Sequence, residues 1–265
     1  MDITKLTKLP PVNTGYRIDP LLPIIPLTMQ VDQAGCNAPH AHPRGQCIFA
    51  SSGVMKVICQ RDIWIVPPSQ AVWVPPGIEH EVYFPGAVSL RNLFIDPSVT
   101  QQLPSACTVL QVSALLRELI LKAMSYGDRY SPDGPGWRLM AVILDELREA
   151  ESTDLHLPMA NDARVLRVMD ALLKNPGDQR KLSEWACYTG ASPRTLSRLF
   201  VLETGLTFGA WRKRLILQEA IHRLDKGNTI TRIALDLGYN SLSAFIEMYR
   251  KALGCPPGQF LREKN

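Results

Sequence analysis

The period of the apolar positions changes partway along the chain. Between residues 20 and 100 they fall in short runs rich in β-branched and aromatic residues: Gln46–Ser51, Val54–Gln60, Ile63–Val66, Ala71–Val74, Glu81–Phe84 and Val88–Ile95. Pro and Gly interrupt them, and Ser52-Gly53 and Arg61-Asp62 stand as turns. Runs of this length and spacing predict the strands of a sandwich or small barrel. From Val109 the spacing becomes helical. Val112, Leu115, Leu116, Leu119, Ile120 and Ala123 predict one amphipathic helix within Val109–Tyr126. Trp137, Met140, Ala141, Leu144 and Leu147 predict a second within Trp137–Ala150. Such a pair can pack on the β domain or form a dimer interface. Residues 152–162 are polar and aperiodic, as a linker would be. The remainder reads as helices, beginning with Ala163–Lys174. The expected fold class is therefore α+β: a β-rich domain with a helical pair in residues 1–151, a linker at 152–162, and an all-α domain in residues 163–265.

Helix signals in the last third are strong. Ser192-Pro193 is an N-cap followed by proline at the first helical position, and Gly205 is a left-handed stop. Leu196, Leu199 and Phe200 form the apolar face of the helix between them, with Arg194, Thr195 and Arg198 opposite. A short helix, Leu182–Tyr188, precedes it. Ala186 and Gly190 then supply the small residue and the positive-φ glycine that a helix-turn-helix needs. The pattern recurs: Ala234 and Gly238, Ser241 as the next cap, Gly254 as the next stop, with the cap and the stop each 49 residues further on. The helix Phe208–Lys226 ties the two units together. Two such units can set recognition helices in successive major grooves of double-stranded DNA. Ser192, Arg194, Thr195 and Arg198 on the first, and Asn240, Ser241, Ser243 and Arg250 on the second, are the expected base or backbone readers. Lys181, Arg212, Lys213, Arg214, Arg232 and Lys251 are expected at phosphates.

Charge sharpens this reading. Of 29 Lys/Arg and 25 Asp/Glu, residues 161–265 hold 17 and 10, a net of +7, leaving −3 for residues 1–160. A basic segment on an acidic body points to a polyanion partner for that segment.

The stretch from Leu182 to Arg262, with SPRTLSRLF, the IALDLGYNS run and GCPPGQFLR, resembles the DNA-binding domain of the AraC/XylS-type regulators. The resemblance implies a transcription regulator with DNA and a small effector as partners. RNA polymerase contact, homodimerisation and activation fit the same family. Ile216 departs from the pattern, which commonly has Arg there.

Three of the five histidines lie in the strand-rich region. His40 and His42, two apart on an expected strand, face the same way, and His80 follows 38 residues later. Brought together, they form a facial nitrogen set suited to a divalent metal. The surrounding residues, Gly35 to Gly53 and Pro75 to His80, resemble the two motifs of a cupin barrel. Gln46 stands where the metal-binding cupin motif has Glu. That leaves two readings, a three-histidine metal site or histidines lining an organic-effector pocket. Arg44 nearby could meet an anionic effector, whereas Trp64 and Trp73 are expected in the core.

No apolar run is long enough to span a bilayer and no secretory leader is evident, so the expected location is the cytoplasm. The six scattered cysteines suggest reduced thiols rather than a disulfide framework. The competing function is a cupin dioxygenase or isomerase with a DNA-binding tail. Gln46 and the lack of any other acid–base or nucleophile pair argue against it, and the expectation is a protein that is not an enzyme.

Overall fold

All six apolar runs expected as strands pair into sheets. The computed structural model describes residues 7–10, 12–59, 62–66, 68, 70–153 and 157–262. Arg61 of the second expected turn, Gln60 and the linker residue His156 lie outside them. The chain divides into two compact units, Met1–Gln60 with Trp64–Asp154, and Arg61–Ile63 with Leu155–Asn265.

Eleven strands lie among the described residues, all within the first unit except for Asp62 and Ile63 of β6: β1 (Thr7–Leu9), β2 (Ile24–Val31), β3 (Gly35–His40), β4 (Gly45–Ser52), β5 (Met55–Cys59), β6 (Asp62–Val66), β7 (Gln70–Val74), β8 (His80–Phe84), β9 (Val88–Ile95), β10 (Thr108–Gln111) and β11 (Ser152–Thr153). One sheet has the order β1-β3-β8-β5-β6 and the other β11-β10-β7-β4-β9-β2. The six-stranded sheet is buried on both faces. Ile48 and Ala50 of β4 and Val72 and Val74 of β7 join residues of the other sheet in one apolar core. Cys47, Phe49, Ala71 and Trp73, of opposite parity, pack in a second core with helices α1 (Ala114–Ala123) and α2 (Pro135–Glu149). Two-sided burial explains why β4 and β7 appear as almost unbroken apolar runs. Trp64 and Trp73 are core residues, as expected.

Four expectations are corrected here. The first helix was expected within Val109–Tyr126 and α1 lies there, but the start of that segment is a strand: residues 108–111 pair with β7, Leu110 opposite Ala71. Val109 and Leu110 are both buried, one in each core, and adjacent apolar residues of this kind suit a helix as well as a two-sided strand. The linker is partly structured: Ser152 and Thr153 pair with β10, and Leu157 is fully buried and bridges to Ile63. β2 was not expected as a strand because Pro26 interrupts it. It lies at the edge of its sheet, where one missing N–H is tolerated, and it pairs with β9 over eight residues. The thiols are not all reduced, since Cys59 and Cys107 form a disulfide across a sequence separation of 48 that no spacing rule reveals. Cys187 is exposed rather than buried.

The second unit is helical: α3 (Ala163–Lys174), α4 (Leu182–Thr189), α5 (Pro193–Thr204), α6 (Phe208–Asp225), α7 (Ile230–Asp236), α8 (Leu242–Leu253) and α9 (Pro257–Arg262). Its helices start where the caps predict. Asp162, Ser192, Thr207, Thr229 and Ser241 each accept a hydrogen bond from a first-turn N–H. Gly190, Gly205 and Gly254 end their helices in the left-handed region. The core is aromatic: Phe200 meets Phe208 and Trp211 edge to face, and the Trp211 indole N–H donates to the Pro158 carbonyl. Full burial of such a side chain contributes roughly 1.5–3 kcal/mol. Among the described residues no helix is long and apolar enough to cross a membrane.

Candidate functional site

Two helix pairs of the second unit share one construction. In the first, α4 and α5 meet through Gly190, with Ala191 N–H donating to the Ala186 carbonyl at 2.9 Å. In the second, α7 and α8 meet through Gly238 at φ +82°, with Tyr239 N–H donating to the Ala234 carbonyl at the same distance. Ala186 and Ala234 are buried where the helices cross. The second turn is one residue longer, because Tyr239 and Asn240 stand where the first has Ala191 alone. The result is two helix-turn-helix units, each with its second helix presenting an outer face.

On α5, Leu196, Leu199 and Phe200 point into the core, while Arg194 and Arg198, one turn apart, are exposed and without an ion pair among the described residues. Thr195 Oγ1 lies 2.9 Å from the Ser192 hydroxyl at the helix start. On α8, Phe245 and Tyr249 are buried, and Ser241, Ser243 and Arg250 are exposed, as is Asn240 just before it. Lys181 and Lys251 are exposed; Lys213 and Arg214 are partly so. Arg232 is 75% exposed, 3.7 Å from Asp236. Arg212 is half-buried; its guanidinium donates to the Asp178 carbonyl, and burial lowers its pKa. Ile216, at the family's usual arginine position, is buried. Sequence reasoning also passed over Arg180, whose guanidinium lies 3.6 Å over the Trp185 ring while its side chain holds Asp178.

In the first unit the three histidines converge. β3 and β8 pair so that His40 stands opposite His80, after a register shift between Asn37 and His40. His40 closes its strand and His42 lies beyond it, so the expected same-strand alternation is not what aligns them. The chain turn after β3 does so. Ring centroids are 4.4 Å apart for His40–His80, 5.2 Å for His42–His80 and 5.7 Å for His40–His42. Each residue offers a ring nitrogen, and these nitrogens lie within 4.8 Å of one another. His42 and His80 are buried. Burial pushes His80 down to about 4 and lowers His42 below its ordinary value, so both rings are neutral at pH 7.

Gln46, on β4, faces the same point. Its Oε1 lies 3.0 Å from His42 Nε2 and 3.1 Å from His80 Nε2. A cavity of about 20 Å³ adjoins the group, lined among others by Val12, Asn37, His40, Gln46, His80 and Asn92. Asn92 is buried and its Oδ1 has no hydrogen-bond partner. It was not among the expected site residues. The signal was there, however, since it shares strand parity with the core residues Val88 and Leu90.

The segment Asn13–Tyr16 lies on this group. Tyr16 is edge-on to His42, and Gly15 approaches so closely that a Cβ there would sit 2.6 Å from the imidazole Cγ. Arg44 holds the segment down. It was expected near an anionic effector, but it is fully buried, donating to the carbonyls of Arg17, Asp19, Leu22 and Phe94 and lying 3.3 Å from Asp96.

The chain matches the AraC-like ligand binding domain over residues 24–169 and a helix-turn-helix domain over residues 185–263. The HTH-type transcriptional regulator NimR of Escherichia coli (strain K12) is 37% identical over 222 residues, covering 84% of this chain and 81% of that protein. The virulence regulon transcriptional activator VirF of Yersinia enterocolitica is 26% identical over 236 residues, covering 81% and 79%. Among solved structures, ToxT from Vibrio cholerae aligns over 91% of this chain and 98% of its own, at 10% identity and a TM-score of 0.38. NimR and VirF are both named as transcription regulators. The chain belongs to the AraC-type family of transcriptional regulators, with an N-terminal ligand-binding domain and a C-terminal helix-turn-helix domain that binds DNA.

Proposed function

We propose that α5 and α8 read successive major grooves of a duplex operator, and that a ligand in the β domain controls this binding. What supports the reading most is the repeated unit itself: two capped helices in one frame, each with its apolar face buried and a polar face free. Arg194 and Arg198 donate to guanine edges, Thr195, Asn240, Ser241 and Ser243 to bases or backbone, and Ser192 and Arg250 complete the contacts. Lys181, Arg212, Arg214 and Arg232 hold phosphates. Residues 1–151 form the sensing and dimerising part, and 163–265 the DNA-binding part. The partner copy docks on α1 and α2, where Leu115 and Val142 remain 55% and 44% exposed. Activation through RNA polymerase is the sense proposed, in line with the Yersinia relative, a transcriptional activator, and a DNA partner fits a cytoplasmic location.

The ligand of the β domain is a divalent metal held by His40, His42 and His80. The donor set fits, since three imidazoles are a common set for such ions.

The test uses a duplex selected from random sequence by the full chain. Arg198→Ala is expected to weaken binding by about 1–3 kcal/mol and relax preference at one base pair. Affinity should fall steeply as salt rises. If Arg198→Ala leaves site preference intact while Arg250→Ala abolishes it, the roles of α5 and α8 are reversed. A flat salt response would remove the phosphate contacts from the reading.

A further inference from the structure

We infer that the metal ion is itself the signal: the β domain is a sensor of a divalent transition metal, and the histidine cavity takes no organic effector. This rests on the metal reading above and deepens it. Four observations carry it.

The ring nitrogens are already sorted. His40 Nδ1 donates to the Ala38 carbonyl at 2.8 Å, His42 Nδ1 to the Arg44 carbonyl at 2.7 Å, and His80 Nδ1 to the Ile78 carbonyl at 3.0 Å. A carbonyl oxygen only accepts, so each Nδ1 carries a hydrogen, which leaves Nε2 as the nitrogen that can offer a lone pair to a metal. Fixing the tautomer through the outer nitrogen is how proteins orient histidine ligands. Here all three are fixed, and all three leave Nε2 free.

Gln46 completes the set. Its Oε1 faces two of these Nε2 atoms, so lone pairs meet lone pairs with no hydrogen between them. A cation among them resolves that arrangement. A half-turn of the amide resolves it in another way, with the NH₂ donating one hydrogen to each ring. Gln46 thus has one orientation suited to the ion and one suited to its absence. A glutamate has no such second state, since it offers no hydrogen to a neutral Nε2.

Size favours the ion. The cavity of about 20 Å³ accommodates an ion or a single water, whereas pockets for organic ligands run to roughly 300–1,000 Å³.

Asn92 lines the same cavity with a buried, unpartnered Oδ1. Such an acceptor suits a water held on the ion, whose hydrogens are strongly polarised. Three of the four donors are imidazole nitrogens. They favour Co²⁺, Ni²⁺, Cu²⁺ or Zn²⁺ over Mg²⁺ or Ca²⁺, which prefer oxygen.

The experiment takes the full chain, stripped with chelator and dialysed, and adds Co²⁺, Ni²⁺, Zn²⁺ or Mg²⁺. Bound metal is counted by native mass spectrometry and by the visible absorption of Co²⁺. Affinity for the selected duplex is measured with and without each ion. One equivalent of Co²⁺, Ni²⁺ or Zn²⁺ should bind, none in His40→Asn, and duplex affinity should change at least fivefold, in either direction, while Mg²⁺ does nothing. Gln46→Glu supplies a carboxylate and should bind the ion at least tenfold more tightly, a gain that a merely misfolded variant cannot produce. One equivalent bound with duplex affinity unchanged within twofold overturns the sensor and leaves the metal site standing. No metal in either the parent or Gln46→Glu overturns both. An organic molecule that co-purifies in the parent and is lost in His40→Asn overturns the exclusion of organic effectors.

Discussion

Replacing Arg44 with methionine keeps the length of the side chain and removes its charge from a fully buried position. Two groups of partners are left behind. The carbonyls of Arg17, Asp19, Leu22 and Phe94 lose a charged donor. Asp96, with a side chain only 2% exposed, loses its counter-ion. Breaking one side of a buried pair costs about 3–5 kcal/mol, because the remaining charge is stranded. Asp96 keeps the Ser98 N–H and hydroxyl and the Asp19 N–H, which places the expected loss near the lower end, about 3 kcal/mol. With a urea slope of about 1–3 kcal/mol/M, the unfolding midpoint of the N-terminal domain should fall by roughly 1 M or more. Acid provides a second signature. Burial acts to raise the Asp96 carboxyl, but the Ser98 and Asp19 hydrogen bonds and Arg44 outweigh it and hold the group below its ordinary value. Its contribution to stability is therefore complete above the unfolded pKa of about 4 and is lost as pH falls through the lower folded value. The gap between parent and Arg44→Met should be full at pH 7 and narrow below pH 4. The double variant Arg44→Met/Asp96→Asn should recover part of the loss. Urea titrations at pH 7 and pH 3 decide the matter. A loss under 1 kcal/mol at neutral pH, or a gap that does not narrow in acid, would refute the account of Arg44 as a paired clamp.

Gly238→Ala should cost about 1–3 kcal/mol in thermal unfolding, since its φ of +82° strains any other residue and an added Cβ would overlap the Gln179 side chain. Trimming Gln179 to alanine in the same chain should return only the steric part. Leu115→Glu with Val142→Glu puts charge on the exposed face of α1 and α2; sedimentation should show a dimer dissociating at least tenfold more readily, with melting temperature little changed. An unaltered dimer would move the interface elsewhere.

Local signals carried far into this fold. α3 runs over the residues its periodicity marks, and α5 and α8 begin and end at the capping serines and glycines, because caps and left-handed stops act within a single turn. Strands β4 to β9 were visible because burial of one or both faces leaves a compositional trace. What escaped depends on contacts distant in sequence. Pro26 conceals β2 until its place at a sheet edge is known. β10 looks helical until Val109 and Leu110 are assigned to opposite cores. The Cys59–Cys107 link and the burial of Arg44 have no local signature. For the histidines, the sequence showed which residues would gather. It did not show which nitrogen each would present, since that is set by the carbonyls of Ala38, Arg44 and Ile78.

The two helix-turn-helix units share a frame but not a face. α5 offers Arg194 and Arg198, whereas the outer side of α8 carries Leu242, Ala244 and Glu247 beside its hydroxyls and Arg250. A pair of identical readers related by a two-fold axis would accept a palindrome and bind it equally well in either direction. Unequal readers give the binding site a head and a tail. In the reading proposed here, one copy of the DNA-binding domain already knows its direction along the duplex. Inverting the operator in front of a promoter would turn the rest of the protein to face the other way.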